Sequence, residues 1–215
     1  MKCDIIIPVG PGHEEIVHRA AGSVEWAKKY DDGGFDIDII GVNDTKGLMG
    51  RSKARNEGVK SSKADWVFFL DADDLMHPEA FAAAADHIPD CMPEIDALWG
   101  KIVEYKADGL LYERLQIPTI HNLEELISYD PYLTIQMGHF VKREIALENP
   151  FNEDMNTGED WDYFLRVWKD HHCLKIREPL MCNVRGQNST GPRSANGQDW
   201  RTSVEAQIEA AKNGE

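Results

Sequence analysis

The chain has 215 residues, 42% of them hydrophobic, and a formal net charge of -15, enough for one domain with a substantial buried core and barely enough for two. That acidity argues against nucleic acid or an anionic membrane as partner, since both are held by clustered Lys and Arg. No run approaches the roughly 18 apolar residues of a membrane span, and the apolar run in MKCDIIIPVG, ended by Pro8, is too short for a signal peptide, so a soluble, cytoplasmic protein is expected.

Residues 4 to 10, DIIIPVG, are a β-branched apolar run closed by Pro and Gly, and Ile16, Val17, Ala20, Val24 and Ala27 follow at helical spacing. The pattern recurs. Residues 35 to 44 (FDIDIIGVND) read as a strand, Arg51 to Ser62 as a helix with Ala54 and Val59 inward, and residues 65 to 74 (DWVFFLDADD) as a strand again. Two βαβ units imply parallel strands, and unbroken runs such as Ile5-Ile6-Ile7 and Val67-Phe68-Phe69-Leu70 fit strands covered on both faces. A helix with Phe81, Ala82 and Ala85 runs from Pro78 to His87; Pro89 and Pro93 break the chain before a strand over residues 97 to 105, ALWGKIVEY. Lys106 to Leu111 reads as a turn on Asp108-Gly109, and Asn122 with Glu125 as the cap of a short helix through Ile127. Residues 131 to 157 have no strong period and include the loop-like FNEDMNTG. Trp161, Phe164, Leu165 and Trp168 make the stripe of a helix, and Val204, Ile208 and Ala211 that of a terminal one. His171-His172 lacks a third spaced ligand and reads as the polar end of a helix. Cys3, Cys91, Cys173 and Cys182 include no CxxC pair and read as packed thiols.

Ligands of an open parallel sheet bind outside the carboxyl ends of its strands, and the charged groups fall there. Gly10 to Glu14 follow the first strand, Asn43-Asp44 the second, and Asp71-Ala72-Asp73-Asp74 the third. Three carboxylates within four residues behind an apolar strand repel one another unless a cation neutralises them, and oxygen donors of this kind suit Mg2+ or Mn2+. A bare carboxylate cluster would also repel a diphosphate, so the acidity and a divalent cation belong together. The competing reading is that Asp73 and Asp74 cap the helix beginning near Pro78. Thr157 and Asp160 likewise allow a capping box, with Asp in place of Glu. Arg185, Arg193 and Gln187-Asn188-Ser189-Thr190-Gly191 form a polar segment suited either to closing over a diphosphate or to lying solvated on the surface.

Taken in order, DIIIPVG, Val42-Asn43-Asp44, Ala54-Arg55-Asn56-Glu57-Gly58, FFLDADD and Gly158-Glu159-Asp160-Trp161 resemble the motifs of family 2 glycosyltransferases, over about the first three quarters of the chain. The resemblance implies a GT-A (Rossmann-like) α/β/α sandwich with a mostly parallel central sheet and a smaller acceptor-side region. The whole chain, residues 1–215, would be one such domain, with a nucleotide-sugar-binding half over 1–105 and an acceptor-side half over 106–215. It implies an enzyme that moves one sugar from a nucleotide-diphosphate sugar, most often a UDP-sugar, to a hydroxyl acceptor with inversion. Carried over residue by residue, Pro8, Val9 and Glu14 line the nucleoside pocket, Asp44 contacts base or ribose, and Arg55 lies near base or diphosphate. Asp71 and Asp73 match the Asp-x-Asp motif that holds Mn2+ or Mg2+, with Asp73 the direct ligand, Asp71 nearer the ribose and Asp74 behind them. Asp160 matches the general base, with Glu159 beside it on the substrate side. His139 falls where family members have residues lining the donor sugar or acceptor site, although a lone His in the apolar Met137-Gly138-His139-Phe140 is more often structural.

Processive synthases of the family carry Gln-x-x-Arg-Trp and membrane helices, whereas Gln198-Asp199-Trp200-Arg201 has another order and no span follows. Transfer of a single sugar is therefore expected, with the acceptor held shallowly or by a further domain or subunit. A nucleotidyltransferase would place a Gly-rich phosphate loop with Arg or Lys after the first strand, where GPGHEE is acidic. A dehydrogenase would need the third glycine that Gly10-Pro11-Gly12 lacks. A sugar-nucleotide or glycan-binding module without turnover is the other alternative, and intact Asp73 and Asp160 speak against it.

Overall fold

The computed structural model describes residues 1–88, 94–106, 109–184 and 197–214. The first apolar run forms strand β1 (Lys2–Val9), helix α1 (Val17–Tyr30) carries the chain back, and β2 (Asp36–Asn43) pairs parallel to β1 from Lys2↔Asp36 to Val9↔Asn43. Helix α2 (Arg51–Ser61) then leads to β3 (Trp66–Phe69), parallel on the other side of β1. These are the two βαβ units expected from periodicity. The third strand, however, ends at Phe69, and residues 71 to 74 form a turn beyond it.

Next come β4 (Leu75–Met76), α3 (Ala80–His87), β5 (Ala97–Tyr105), β6 (Leu111–Glu113), α4 (Leu123–Ser128), β7 (His139–Lys142) and α5 (Arg143–Glu148). The chain ends with α6 (Glu159–Asp170), β8 (Cys173–Val184) and α7 (Gly197–Lys212). One sheet takes the order β2-β1-β3-β7-β5-β8-β4, with β6 on β5. Strands β1, β2, β3, β5 and β8 share one direction and β4, β6 and β7 oppose it, so the sheet is mixed but mostly parallel.

The stretch 131 to 157, which has no strong period, contains β7 and α5, and β8 is a strand the pattern did not reveal. β7 has only four residues, inserted antiparallel between β3 and β5, too few to display a period. β8 carries Lys175, Arg177, Glu178 and Pro179 and pairs with β5 through a register shift near Trp99 and Lys101, which breaks the alternation.

Successive residues of a strand point to opposite faces, and here both faces are covered. Ile5, Ile7, Phe68 and Phe140 pack with Val24 of α1 and Phe81 of α3, while Ile6, Val67, Phe69 and Val141 pack with Trp161 and Phe164 of α6 and Val204 of α7. Each such side chain stabilises the fold by roughly 1.5–3 kcal/mol on full burial. Helix α2 lies so close to β1 that a Cβ on Gly58 would sit 2.4 Å from Ile6 Cγ2.

Asn122 caps α4 by accepting the Glu125 N–H at 2.8 Å, and the Glu125 carboxylate reaches back to the His121 N–H at 2.8 Å, close to the capping box expected. Gly109, at φ 80, closes the turn before β6 by donating to the Lys106 carbonyl at 2.9 Å. Asp108, Pro89, Pro93 and Cys91 lie outside the described residues. Cys3, Cys173 and Cys182 are free and buried. Among the described residues no helix is long and apolar enough to cross a membrane.

Candidate active site

Strands β1, β2 and β3 end on one rim, where a cavity of about 380 Å³ opens. Pro8 and the loop after β1, Asp44 and the loop after β2, the first turns of α2, and Asp71 to Asp73 form its wall, closed on one side by Glu153, Met155 and Asn156. Of the residues singled out in the sequence, Pro8, Asp44, Arg55, Asp71 and Asp73 stand on that wall. Val9 is half-buried at the strand end beside it, and Glu14 is exposed and off the wall.

Asp44 shapes the loop it precedes. Its Oδ1 accepts the N–H groups of Leu48 at 2.8 Å and Met49 at 3.0 Å, and its Oδ2 accepts that of Gly50 at 2.8 Å. Burial works to raise its pKa, but the three amides outweigh burial and hold the carboxyl below its usual range. Gly47 (φ 66) and Gly50 (φ 78) supply the left-handed backbone that lets the loop fold over one carboxylate.

Beyond β3, one oxygen from each of Asp71, Asp73 and Asp74 lies within 4.8 Å of the others. Asp74 is buried and fixed from β8: Asn183 Nδ2 donates to its two oxygens at 3.1 and 3.4 Å, and the Val184 N–H donates at 2.9 Å. Burial, with repulsion from Asp73 and Asp71, pushes the Asp74 carboxyl well above its ordinary pKa. A set of hard oxygen donors under mutual repulsion fits Mg2+ or Mn2+, which would relieve it. None of the three caps α3: its first residues follow Glu79, and no side chain closes that end.

From the triad a line of alternating charges runs from the cavity wall to Glu159, which with Asp160 is buried behind that wall. Arg55, 2% exposed, donates from Nη2 to Asp71 Oδ1 at 2.6 Å, and its Nη1 lies 3.6 Å from Glu159 Oε1. Arg51, one helical turn earlier, places Nε 2.8 Å from the same Glu159 oxygen and donates from Nη2 to the Asn156 carbonyl at 2.8 Å. Burial works against the charge on Arg55, but Asp71 and Glu159, joined by Asp160, more than restore it. The Phe151 ring lies 5.2 Å from its guanidinium, and Asn56 holds the Phe151 backbone by bonds of 2.8 and 2.9 Å.

Glu159 and Asp160 open α6, where carboxylates meet the positive end of the helix dipole. The capping box does not form: Gly158, at φ 75, occupies the N-cap with no side-chain bond. Asp160 is 3% exposed, and its Oδ1 accepts the Trp161 N–H at 3.0 Å and Trp200 Nε1 at 3.4 Å. Glu159, fully buried, faces the two arginines.

His139 is not part of the wall. It is fully buried, stacks on Trp99 at 4.2 Å and places Nε2 3.4 Å from the Tyr163 hydroxyl, as a core residue does. Arg185 and Arg193 lie outside the described residues. Sequence reading missed Arg51, Glu153, Asn156 and Asn183. Arg51 alone had a signal, standing four residues before Arg55 on one helix face; the others reach the site only through tertiary packing.

Residues 19–147, more than half of the chain, match the family model for glycosyl transferase family 2. No curated protein matches the chain. Among solved structures, S. aureus TarS 1-349 in complex with UDP-GlcNAc superposes with a TM-score of 0.68 at 16% identity, over 97% of this chain and 65% of that one. S. aureus TarS 1-349 alone gives 0.64 at 15%, over 86% of this chain and 60% of that one. Glucosyl-3-phosphoglycerate synthase from Mycobacterium tuberculosis, with Mg2+ and UDP, gives 0.59 at 13%, over 99% and 79%. The chain thus spans under two thirds of the TarS 1-349 chains it resembles, and identities so low speak for the shared GT-A fold alone. The match to the family model includes the ends of β2 and β3 with Asp44, Arg55 and Asp71 to Asp74, and the chain belongs to the family 2 glycosyltransferases.

Proposed function

We propose that the chain transfers one sugar from a UDP-sugar to an acceptor hydroxyl with inversion at the anomeric carbon. The observation that carries this reading is the line from the Asp71, Asp73 and Asp74 triad through Arg55, which lines the cavity, to the buried Glu159 and Asp160 behind it, joining an anion-handling group to a carboxylate suited to accept a proton. Complexes of two similar folds with UDP-GlcNAc and with Mg2+ and UDP support the donor class. Residues 1–105 would hold the donor and 106–215 the acceptor side, with the acceptor shared by a further domain or subunit.

Asp73 and Asp71 would hold Mn2+ or Mg2+, with Asp74 behind them. Bound there, the ion supplies Lewis-acid charge for the diphosphate. Asp44 keeps the loop after β2 in the shape that bounds the donor cavity, and Arg55 holds Asp71 toward it. Asp160 takes the proton of the acceptor hydroxyl, whose oxygen then bonds to the anomeric carbon from the face opposite the leaving group. The bond from that carbon to the diphosphate oxygen breaks, and its electron pair leaves with the nucleoside diphosphate. One displacement gives one inversion, so no nucleophilic side chain is required.

UDP release from a panel of UDP-sugars, with sugar or water as acceptor, tests the assignment. Asp160→Asn is expected to keep donor affinity while turnover falls by roughly 100-fold or more, and Asp73→Ala to lose metal-dependent donor binding. Undiminished turnover in Asp160→Asn would return that residue to a purely structural place at the start of α6. Donor binding with no UDP release by the wild type would make the chain a binding module.

A further inference from the structure

Helix α7 lays one face on the first turn of α6. Trp200 Nε1 donates to Asp160 Oδ1 at 3.4 Å, Ser203 Oγ to the Thr157 carbonyl at 3.3 Å, and Gln207 Nε2 to the Gly158 carbonyl at 3.2 Å. Trp200, Ser203 and Gln207 are three and four residues apart and so share one helical stripe. The approach is close: a Cβ on Gly158 would lie 2.7 Å from Ser203 Oγ and 2.9 Å from Gln207 Nε2. Gly158 is therefore fixed twice, by its left-handed φ of 75 and by the helix above it.

Trp200 is itself held in place. Its indole lies 4.7 Å from the Tyr132 ring, and Arg201 lies over that same ring at 5.3 Å while pairing with Asp130 at 2.7 Å. Trp200 is 6% exposed, so its N–H meets Asp160 away from competing water, where such a bond is stronger than in solvent.

We propose that Trp200 is a positioning residue for Asp160: the indole, braced by α7 and Tyr132, fixes the orientation of the carboxylate that receives the acceptor proton. The inference rests on the assignment of Asp160 as base.

Trp200→Phe keeps a buried aromatic ring while deleting the N–H together with part of the indole's bulk. Its kcat for UDP release is expected to fall roughly tenfold, with donor KM, calorimetric donor affinity and melting temperature close to wild type. A fall in kcat beside an unchanged donor KM and melting temperature is a split that loss of packing alone would not produce. Unchanged kcat, beside an Asp160→Asn variant that has lost turnover, would overturn the inference and leave the base assignment standing. Normal turnover in Asp160→Asn would remove that assignment and the inference with it. Should Trp200→Phe fail to fold, Ser203→Ala with Gln207→Leu loosens the same contact while leaving Trp200 intact. The same selective loss of kcat is expected there, and wild-type kcat would overturn the inference.

Discussion

Arg55 sits with Asp71, Glu159 and the Phe151 ring around it, and a guanidinium this enclosed is stable only while its counter-charges remain. Removing it strands Glu159, fully buried, with Arg51 as its remaining close cation among the described contacts. Arg55→Met is therefore expected to destabilise the fold by about 3 kcal/mol, read from urea denaturation; a change under about 1 kcal/mol would mean that Glu159 is relieved some other way. His139 gives a second test. Burial, and then the charge of Arg55, hold its pKa down from the ordinary 6.5 to about 3. The unfolded chain thus takes up this proton near pH 6.5 and the folded one only near pH 3. The associated stability is complete above pH 6.5 and declines as pH falls from there toward 3. His139→Phe keeps an aromatic ring against Trp99 and should flatten the decline in urea midpoint below pH 6.5. An equal decline in both proteins would show that other groups carry it.

Helix α2 shows how an element places a site. Its first turns deliver Arg51 and Arg55 to the cavity, and its close seat on β1 depends on Gly58 having no side chain. In an exposed helix Gly→Ala stabilises by up to about 1 kcal/mol, but here the added methyl meets Ile6, and overpacking costs about 1–3 kcal/mol. Gly58→Ala should therefore lower the thermal midpoint, with donor affinity falling as the arginines shift; a higher midpoint with unchanged affinity would contradict the close packing. The period of the first three strands and of α1 and α6 was legible because each buries a regular stripe or a continuous run. β7 and β8 were not. Four residues cannot show a period, and a strand carrying Lys175 does not read as buried, although Lys175 is fully enclosed with Nζ donating to the Ile117 and Thr134 carbonyls and Gln116.

Across the whole molecule, a net charge of -15 and a triad of aspartates, two of them on the cavity wall, point to a site completed by a cation. The parts that lie at strand ends, Pro8, Asp44, Asp71 and Asp73, were legible because topology alone brings such ends to one rim. Glu153, Asn156 and Trp200 were not, since each depends on how the second half folds back on the first. The resemblance set His139 at the substrate, and packing puts it in the core. The central claim is metal-dependent binding of a nucleotide sugar, and calorimetric titration of the wild type with UDP-sugars and GDP-sugars, in Mn2+ and then in chelator, tests it most directly. Binding of a UDP-sugar that weakens at least tenfold on chelation is the result expected from the triad; binding equally tight in chelator, or no binding of any nucleotide sugar, would contradict the account.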